Sequence, residues 1–258
     1  MPALNRTALA LTLACGLTLA HADNDQEAAV PYRPSVSVPA ALSAASRVEF
    51  EFGGLRANTD EGRRYSTPFT VKYAFNEDWG VRVGGEAWVR GTSDTGARQS
   101  SFGDTTVILK RRFAIDKEQA FGLEAGFTAK TARHGLGLGS NALLLTGIYS
   151  AELGDGWHTD VNLGLTRLSQ STAGVSGTTV GWAAALSRTV YDQWGAVVEV
   201  SGTRRSGADS TLTGLAAVTY SVTPGLVLDA GAARSLKSGL KYWQLFSGVT
   251  WLGPKMGW

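Results

Sequence analysis

From residue 47 onward, apolar and polar residues alternate along segments of about ten residues, which is the period of a β-strand. In residues 79–88, one set contains apolar or small side chains, and the other set is Gly80, Arg82, Gly84, Glu86 and Trp88. Comparable alternation recurs at 120–131 and 240–252. The pattern predicts a sheet protein with one apolar face and one charged, glycine-rich face.

Short turns and long polar connections alternate between these segments. The short turns contain Asp, Asn, Gly or Pro, the residues that reverse a strand within a few positions. Short turns at one end and long loops at the other are typical of a transmembrane β-barrel. The pattern predicts about twelve strands, at 47–56, 63–75, 79–91, 101–114, 120–131, 141–153, 157–169, 178–191, 194–206, 210–222, 226–236 and 240–252.

Aromatic residues indicate which face lies outside. Trp79, Trp157 and Trp194 each follow a short turn, and Trp243 and Trp251 share one face. Eight tilted strand residues span roughly 20 Å, which is comparable to the distance between two interfacial aromatic girdles. We therefore predict an all-β fold, an antiparallel up-and-down transmembrane β-barrel with lipid outside and a wet interior. A secreted soluble β-sandwich or lipocalin-like barrel is the alternative.

The N-terminal part of the chain predicts export. Residues 1–22 have the features of a signal peptide cleaved after Ala22. Cys15 lies within this segment, so the mature chain would have no thiol; a lipoprotein cysteine is the alternative reading. Residues 23–46 contain three prolines and predict an extended leader, lying either in the periplasm or inside the lumen. Residues 47–258 would form the barrel.

Three stretches resemble one known family. They are "GDTTVILKRRF", "YAFNEDWGVRVGGE" and "GDGWHTDVNLGLTRL", and the similarity spans residues 32–252. The chain is similar to the bacterial outer-membrane proteins of the family described as "putative MetA pathway of phenol degradation". The resemblance implies an outer-membrane β-barrel that admits small organic compounds, aromatic compounds being one candidate class. After residue 252 the sequence "GPKMGW" departs from common outer-membrane patterns, because Pro254 would interrupt the last strand before Trp258.

The predicted inward face carries charges of both signs. Positive residues come from the first third of the barrel and negative residues from most of the remaining circumference, with Glu49 and Glu51 among them. Either the two signs face each other across an open pore and orient dipolar solutes, or they form cross-strand ion pairs that fill a narrow lumen. The candidate solute-path residues are Lys72, Arg82, Glu86, Lys110, Arg112, Glu124, Asp160, Glu199 and Asp229.

Catalysis has weak support in the sequence. Only His134 and His158 follow the signal peptide, and although Asp160 lies on the same face as His158, no serine stands out as a nucleophile. The glycine-rich "HGLGLGS" has the wrong spacing for a phosphate-binding loop. We therefore expect no enzyme activity, no cofactor and no metal site.

The favoured function is a monomeric outer-membrane channel for passive passage of small solutes. Its expected partners are outer-membrane lipid, the solute and the barrel-assembly machinery. The net charge of +2 argues against nucleic acid, which favours a clustered basic surface. A non-conducting structural or adhesin-like barrel is the first alternative, and a barrel enzyme that acts on lipid is the second.

Overall fold

The computed structural model describes residues 27–60, 62–93, 96–239 and 241–256. These residues form thirteen β-strands and no α-helix, and none of them belongs to a helix long and apolar enough to cross a membrane. The predicted signal peptide, its cleavage site and Trp258 lie outside this range. The strands are β1 (Arg47–Thr59), β2 (Gly62–Ala74), β3 (Trp79–Ser93), β4 (Arg98–Ser101), β5 (Thr105–Ala114), β6 (Gln119–Ala129), β7 (Ala142–Gly154), β8 (Trp157–Leu168), β9 (Thr178–Tyr191), β10 (Trp194–Arg205), β11 (Thr211–Thr223), β12 (Leu226–Ser235) and β13 (Trp243–Lys255).

Twelve of these strands close into one antiparallel barrel. Consecutive strands pair with each other, β3 pairs with β5, and β1 pairs with both β2 and β13. The remaining strand, β4, pairs only with the last part of β3 and extends the wall at the long-loop end. The predicted up-and-down barrel of about twelve strands is confirmed.

The strand predicted at 101–114 begins later, at Thr105 of β5. Residues 98–100, which were predicted to lie outside a strand, belong to the short strand β4, and residues 102–104 separate β4 from β5. At the break, the Gly103 N–H donates to the Glu86 carbonyl at 2.9 Å, and a Cβ at Gly103 would lie 2.7 Å from Glu86 Cβ. A larger side chain would not fit here, and alternation alone gives no signal for such a local close approach.

The alternation in β3 changes phase after Glu86. Pairing with β2 skips from Pro68–Glu86 to Ser66–Val89, which marks a β-bulge. An extra residue in one strand shifts every later side chain to the opposite face. Trp88 is therefore 44% exposed and Val89 is fully buried, so the expectation that Trp88 shares the inward face with Glu86 was wrong.

Pro254 does not end the last strand. β13 continues to Lys255, which pairs with Arg47, and the register shifts between Arg47 and Glu49. A bulge tolerates proline because the extra residue leaves the ladder of hydrogen bonds. The expected interruption at Pro254 was therefore wrong.

The outer wall of the barrel is apolar. Phe50, Leu123, Phe127, Leu145 and Leu163 are each more than 40% exposed, whereas the alternating positions are buried. Toward the short-turn end, two arginines lie over aromatic rings on this face: Arg111 over Trp79 and Phe113, and Arg188 over Trp157. Long cationic side chains at this height can reach lipid head groups while their stems remain on the apolar surface.

The glycine-rich segment at 134–140 is a loop, as predicted, and the structure shows what it binds. The Asp104 carboxylate accepts hydrogen bonds from the N–H groups of Ala132 at 3.0 Å and Leu138 at 2.6 Å. A Cβ at Gly137 would lie 2.3 Å from Asp104 Oδ2. The loop therefore folds around a carboxylate of the barrel, which gives a structural role to the Gly-Asp pair that begins "GDTTVILKRRF".

Candidate functional site

The leader, residues 27–46, lies inside the barrel. It enters at the short-turn end, where the Ala29 N–H donates to the Pro224 carbonyl, and returns there, where the Ser46 N–H donates to the Ala74 carbonyl. Between these points it makes hydrogen bonds to side chains of β1, β2, β5, β7, β8, β10 and β12. Of the two predicted locations for the leader, the described part occupies the lumen.

Side chains of the wall satisfy the backbone of the leader. Two carboxylates of β1 accept from it: Glu49 from the Val30 N–H at 3.0 Å and Glu51 from the Tyr32 N–H at 2.6 Å. On the far side, Asn162 accepts from the Val38 N–H and donates to the Val38 carbonyl, at 2.8 and 2.9 Å. An extended segment without a strand partner needs such acceptors, because a buried N–H without one is costly.

Glu199 of β10 binds the leader at its midpoint. Its Oε2 atom accepts from the N–H groups of Val36 at 2.9 Å and Ser37 at 2.8 Å, and from the Ser37 hydroxyl at 2.9 Å. Glu199 is 3% exposed. Three donors on one carboxylate oxygen stabilise a charge that would otherwise be expensive to bury.

Tyr32 lies among three cations. Its ring centroid is 3.9 Å from Lys72 Nζ, 4.4 Å from Lys110 Nζ and 5.5 Å from Arg82 Cζ. The hydroxyl accepts from Lys110 Nζ at 2.9 Å and donates to the Ala41 carbonyl at 3.1 Å. Burial, and then the Glu124 charge, raises the pKa of this phenol well above its ordinary value, so Tyr32 keeps its proton.

Arg33 anchors the opposite side of the leader. Its guanidinium donates to both carboxylate oxygens of Asp229 at 3.0 Å. A Cβ at Gly248 would lie 2.4 Å from Arg33 Nε, and one at Gly53 would lie 2.8 Å from Arg33 Cζ. The paired glycines of β1 and β13 therefore make room for the arginine.

Four of the predicted solute-path residues form two buried ion-pair groups. In the first, Lys72 Nζ lies 2.5 Å from Glu49 and 2.6 Å from Glu51. In the second, Glu124 lies 2.8 Å from Arg82 and 3.7 Å from Lys110. These pairs join nearby strands, as the alternative of cross-strand pairing expected, and the Tyr32 ring lies between the two groups.

The other five predicted residues occupy different parts of the wall. Glu199 and Asp229 bind the leader, as described above. Glu86 pairs with Arg64 at 2.5 Å nearer the long-loop end. Arg112 is half-buried two residues from Lys110, and Asp160 accepts from Ser150 Oγ at 2.5 Å. Whether any of the nine contacts a solute stays a prediction.

The histidine considered for catalysis is held by two carboxylates. His158 Nδ1 lies 2.8 Å from Glu152 Oε1, and Nε2 lies 3.0 Å from Asp160 Oδ1. Ser150 hydrogen-bonds Asp160 and accepts from the Ala40 N–H at 2.7 Å. A serine nucleophile must bond the imidazole that removes its proton. With both ring nitrogens on carboxylates, this cluster supports the leader rather than that chemistry.

A cavity of about 340 Å³ lies in the lumen on the long-loop side of the leader. Val36 and Val38 of the leader form one side of it, and Arg82 and Glu124 also line it. The rest of the wall is mostly small or hydroxyl-bearing: Thr146, Gly164, Gly181, Ala183, Ser201, Thr203, Thr211 and Thr213. The cavity therefore offers an aliphatic floor, neutral hydrogen-bonding walls and one ion pair.

Several residues of this site were not found from the sequence. Tyr32 and Arg33 lie in a proline-containing segment without periodicity, and Ser150 and Asn162 are single polar residues on inward faces. The available signal was the Tyr-Arg pair itself, since a leader without structure has little need of a large aromatic ring beside a long cationic side chain.

An apolar exterior, a closed ring of twelve strands and a polar, charged interior define a transmembrane β-barrel. The family described as "Putative MetA-pathway of phenol degradation" matches residues 95–252 of this chain, and the chain belongs to that family. No curated protein matched the sequence.

Solved outer-membrane barrels share the fold. The COG4313 outer membrane channel from Pseudomonas putida F1 has a TM-score of 0.65 and 14% identity, covering 90% of this chain and 100% of that chain. The NanC porin has a TM-score of 0.62 and 8% identity, covering 78% and 98%. The CymD monoaromatic hydrocarbon channel has a TM-score of 0.50 and 11% identity, covering 81% and 89%. At such identities the likeness shows the fold alone.

Proposed function

We propose that this protein is an outer-membrane channel through which small organic solutes pass without energy input. The observation that carries the proposal is the 340 Å³ cavity enclosed by the barrel between the leader and the long loops. Its size suits a small solute. Membership of the phenol-degradation family and the fold shared with CymD favour aromatic compounds among the candidates.

The lining of the cavity supports a preference for solutes with both apolar and polar parts. Val36 and Val38 offer an apolar surface, and the Arg82–Glu124 pair, at 2.8 Å, offers a dipole to a hydroxyl group. A phenol-like molecule would place its ring on the leader and its hydroxyl near this pair. Transport by diffusion needs no cofactor.

Recording from purified full-length protein in planar bilayers tests the proposal. We expect discrete channel currents, reduced by millimolar phenol as it occupies the cavity. Arg82→Ala should change ion selectivity because it removes a charge from the cavity wall. Arg111→Ala, on the lipid side, is the matched control and should leave selectivity unchanged. Equal selectivity in both variants would reject the role of Arg82.

A non-conducting barrel is the second candidate, favoured by one observation. The leader hydrogen-bonds to seven strands across the short-turn half of the lumen. If no current and no solute uptake into protein-containing liposomes is measured, this candidate replaces the channel.

A further inference from the structure

A second polar site lies at the long-loop end of the barrel, with part of its lining on the outer side of the wall. A cavity of about 500 Å³ is formed where β12 and β1 end and β13 begins. It is separate from the lumen cavity, with which it shares no lining residue. Its lining combines two cations with polar and aromatic side chains: Asn58, Thr59, Arg234, Ser235, Lys241, Tyr242 and Trp243.

Alternation along the strands places part of this lining on the lipid side. Ala57 and Ala233 are buried and face the interior. Asn58 and Arg234, one residue further along, therefore face outward, and both are register partners of Trp243. Trp243 lies eight residues from Trp251, whose ring stacks on Phe50 at 5.6 Å near the short-turn end. The cavity therefore lies at the height of the distant aromatic girdle, where head groups begin.

The charge around the cavity is positive. Arg56 Cζ lies 5.3 Å above the Trp243 ring and 5.7 Å from the Tyr65 ring. A carboxylate of the same end, Asp60, accepts from the Lys241 backbone N–H through Oδ2 at 3.1 Å. The register of β1 to β4 and β12 places further arginines outward at this end. The outward arginines of these strands include Arg56, Arg63, Arg90, Arg98 and Arg234.

Polar groups beside the cations favour a ligand that carries hydroxyl groups as well as negative charge. The Oδ1 atom of Asn58 is buried without a hydrogen-bond partner among the described residues. An acceptor in that position suits a sugar hydroxyl. Trp243 offers an apolar surface for the face of a sugar ring, and Arg234 with Lys241 suits a phosphate.

We propose that this cavity binds the phosphorylated saccharide head group of an outer-leaflet lipid. Arg234 and Lys241 would contact the phosphate, Asn58 would accept from a sugar hydroxyl, and the acyl chains would lie along the apolar wall below Trp243. The outward arginines would hold neighbouring lipid phosphates. This site is independent of the lumen and does not require the barrel to conduct.

Binding of lipid A, a bis-phosphorylated disaccharide lipid, to the full-length protein in dodecyl maltoside tests the proposal. Fluorescently labelled protein would be titrated with lipid A, with enzymatically dephosphorylated lipid A and with inorganic phosphate. We expect lipid A to bind at least about tenfold more tightly than its dephosphorylated form, since charge-assisted hydrogen bonds are lost. Equal affinities, or saturation by inorganic phosphate at the same concentration, would overturn the assignment to a lipid head group.

A matched pair of double variants localises the site. Arg234→Gln with Lys241→Gln should weaken lipid A binding about tenfold or more. Arg111→Gln with Arg188→Gln removes two lipid-facing charges at the opposite end and should not. If the first pair lowers the melting temperature, Arg234→Lys with Lys241→Arg keeps both charges and should retain binding. Equal binding by the two Gln pairs would reject the site, and channel currents, measured separately, do not bear on it.

Discussion

Two glycines show how a single atom can control the position of the leader. Gly248 faces the lumen, and an added Cβ would lie 2.4 Å from Arg33 Nε and 2.7 Å from the Phe52 carbonyl. Gly54, on the outward face of the neighbouring strand, would meet nothing within 4 Å. Substitution by alanine is therefore expected to disturb the leader at Gly248 and to have no effect at Gly54.

Gly248→Ala should displace Arg33 from Asp229, with overpacking costing about 1–3 kcal/mol. Thiol labelling can measure this displacement, because Val38 is 8% exposed and its contacts with Asn162 use only the backbone. In a Val38→Cys background, Gly248→Ala should raise the maleimide reaction rate about tenfold. Gly54→Ala should leave the rate unchanged, and an equal rise in both would contradict this account.

Substitution of Tyr32 tests how the three cations around its ring hold the leader in the lumen. Tyr32→Phe keeps the ring over Lys72 and Lys110 but removes the hydroxyl that Lys110 and Ala41 bond. We expect a loss of about 1–3 kcal/mol in leader docking, because Lys110 is left with one fewer acceptor. The Val38→Cys labelling rate should rise accordingly. Tyr191→Phe, at a tyrosine that is 78% exposed, is the control and should have no effect.

At the scale of elements, the barrel strands could be predicted and the leader path could not. A strand that faces lipid on one side and water on the other must alternate, and its turns need residues that reverse the chain. The bulges at Trp88 and at Pro254 depend on local hydrogen bonding between strands that alternation does not encode. The leader has no period, because wall side chains such as Asn162 pair its backbone individually.

The sequence predicted which charged residues face the interior but not which groups they bind. Inward charges such as Lys72, Glu124 and Glu199 were identified because charge on an alternating face indicates a polar interior. Their partners were not identified, because the leader is distant from them in sequence: Ser37 lies 162 residues from Glu199, and Val30 lies 42 residues from Lys72. A contact across such a distance requires coordinates.

We expect the charge of Glu199 to hold the middle of the leader, at Val36 and Ser37, against the barrel wall. Glu199→Gln keeps the shape of the side chain but removes the charge that three donors share. Charge-assisted hydrogen bonds are roughly twice as strong as neutral ones, so we expect about five- to tenfold faster labelling of Val38→Cys. Glu77→Gln, in an exposed turn, is the control, and a labelling rate unaffected by Glu199→Gln would show that Arg33 and Tyr32 hold the leader without it.

For the whole molecule, the lumen site and the lipid site both depend on which face of the strands contacts lipid and which faces the interior. Leu163, in the middle of β8, is 61% exposed and lies on the apolar face. Thr166, three residues along the same strand, lies on the lumen side with Gly164 and Asn162. The two positions therefore share a strand and differ in what they contact.

Arginine substitution at these two positions should consequently have unequal effects in lipid vesicles. Leu163→Arg places a charge near the middle of the hydrocarbon region and should cost about 2–4 kcal/mol of unfolding free energy. Thr166→Arg places the same charge in the polar lumen near the long-loop end and should cost far less. Guanidinium unfolding of both variants in phosphatidylcholine vesicles measures the difference. A larger loss for Thr166→Arg would mean that lipid contacts the other face, because only the side in contact with hydrocarbon penalises an unpaired charge so heavily.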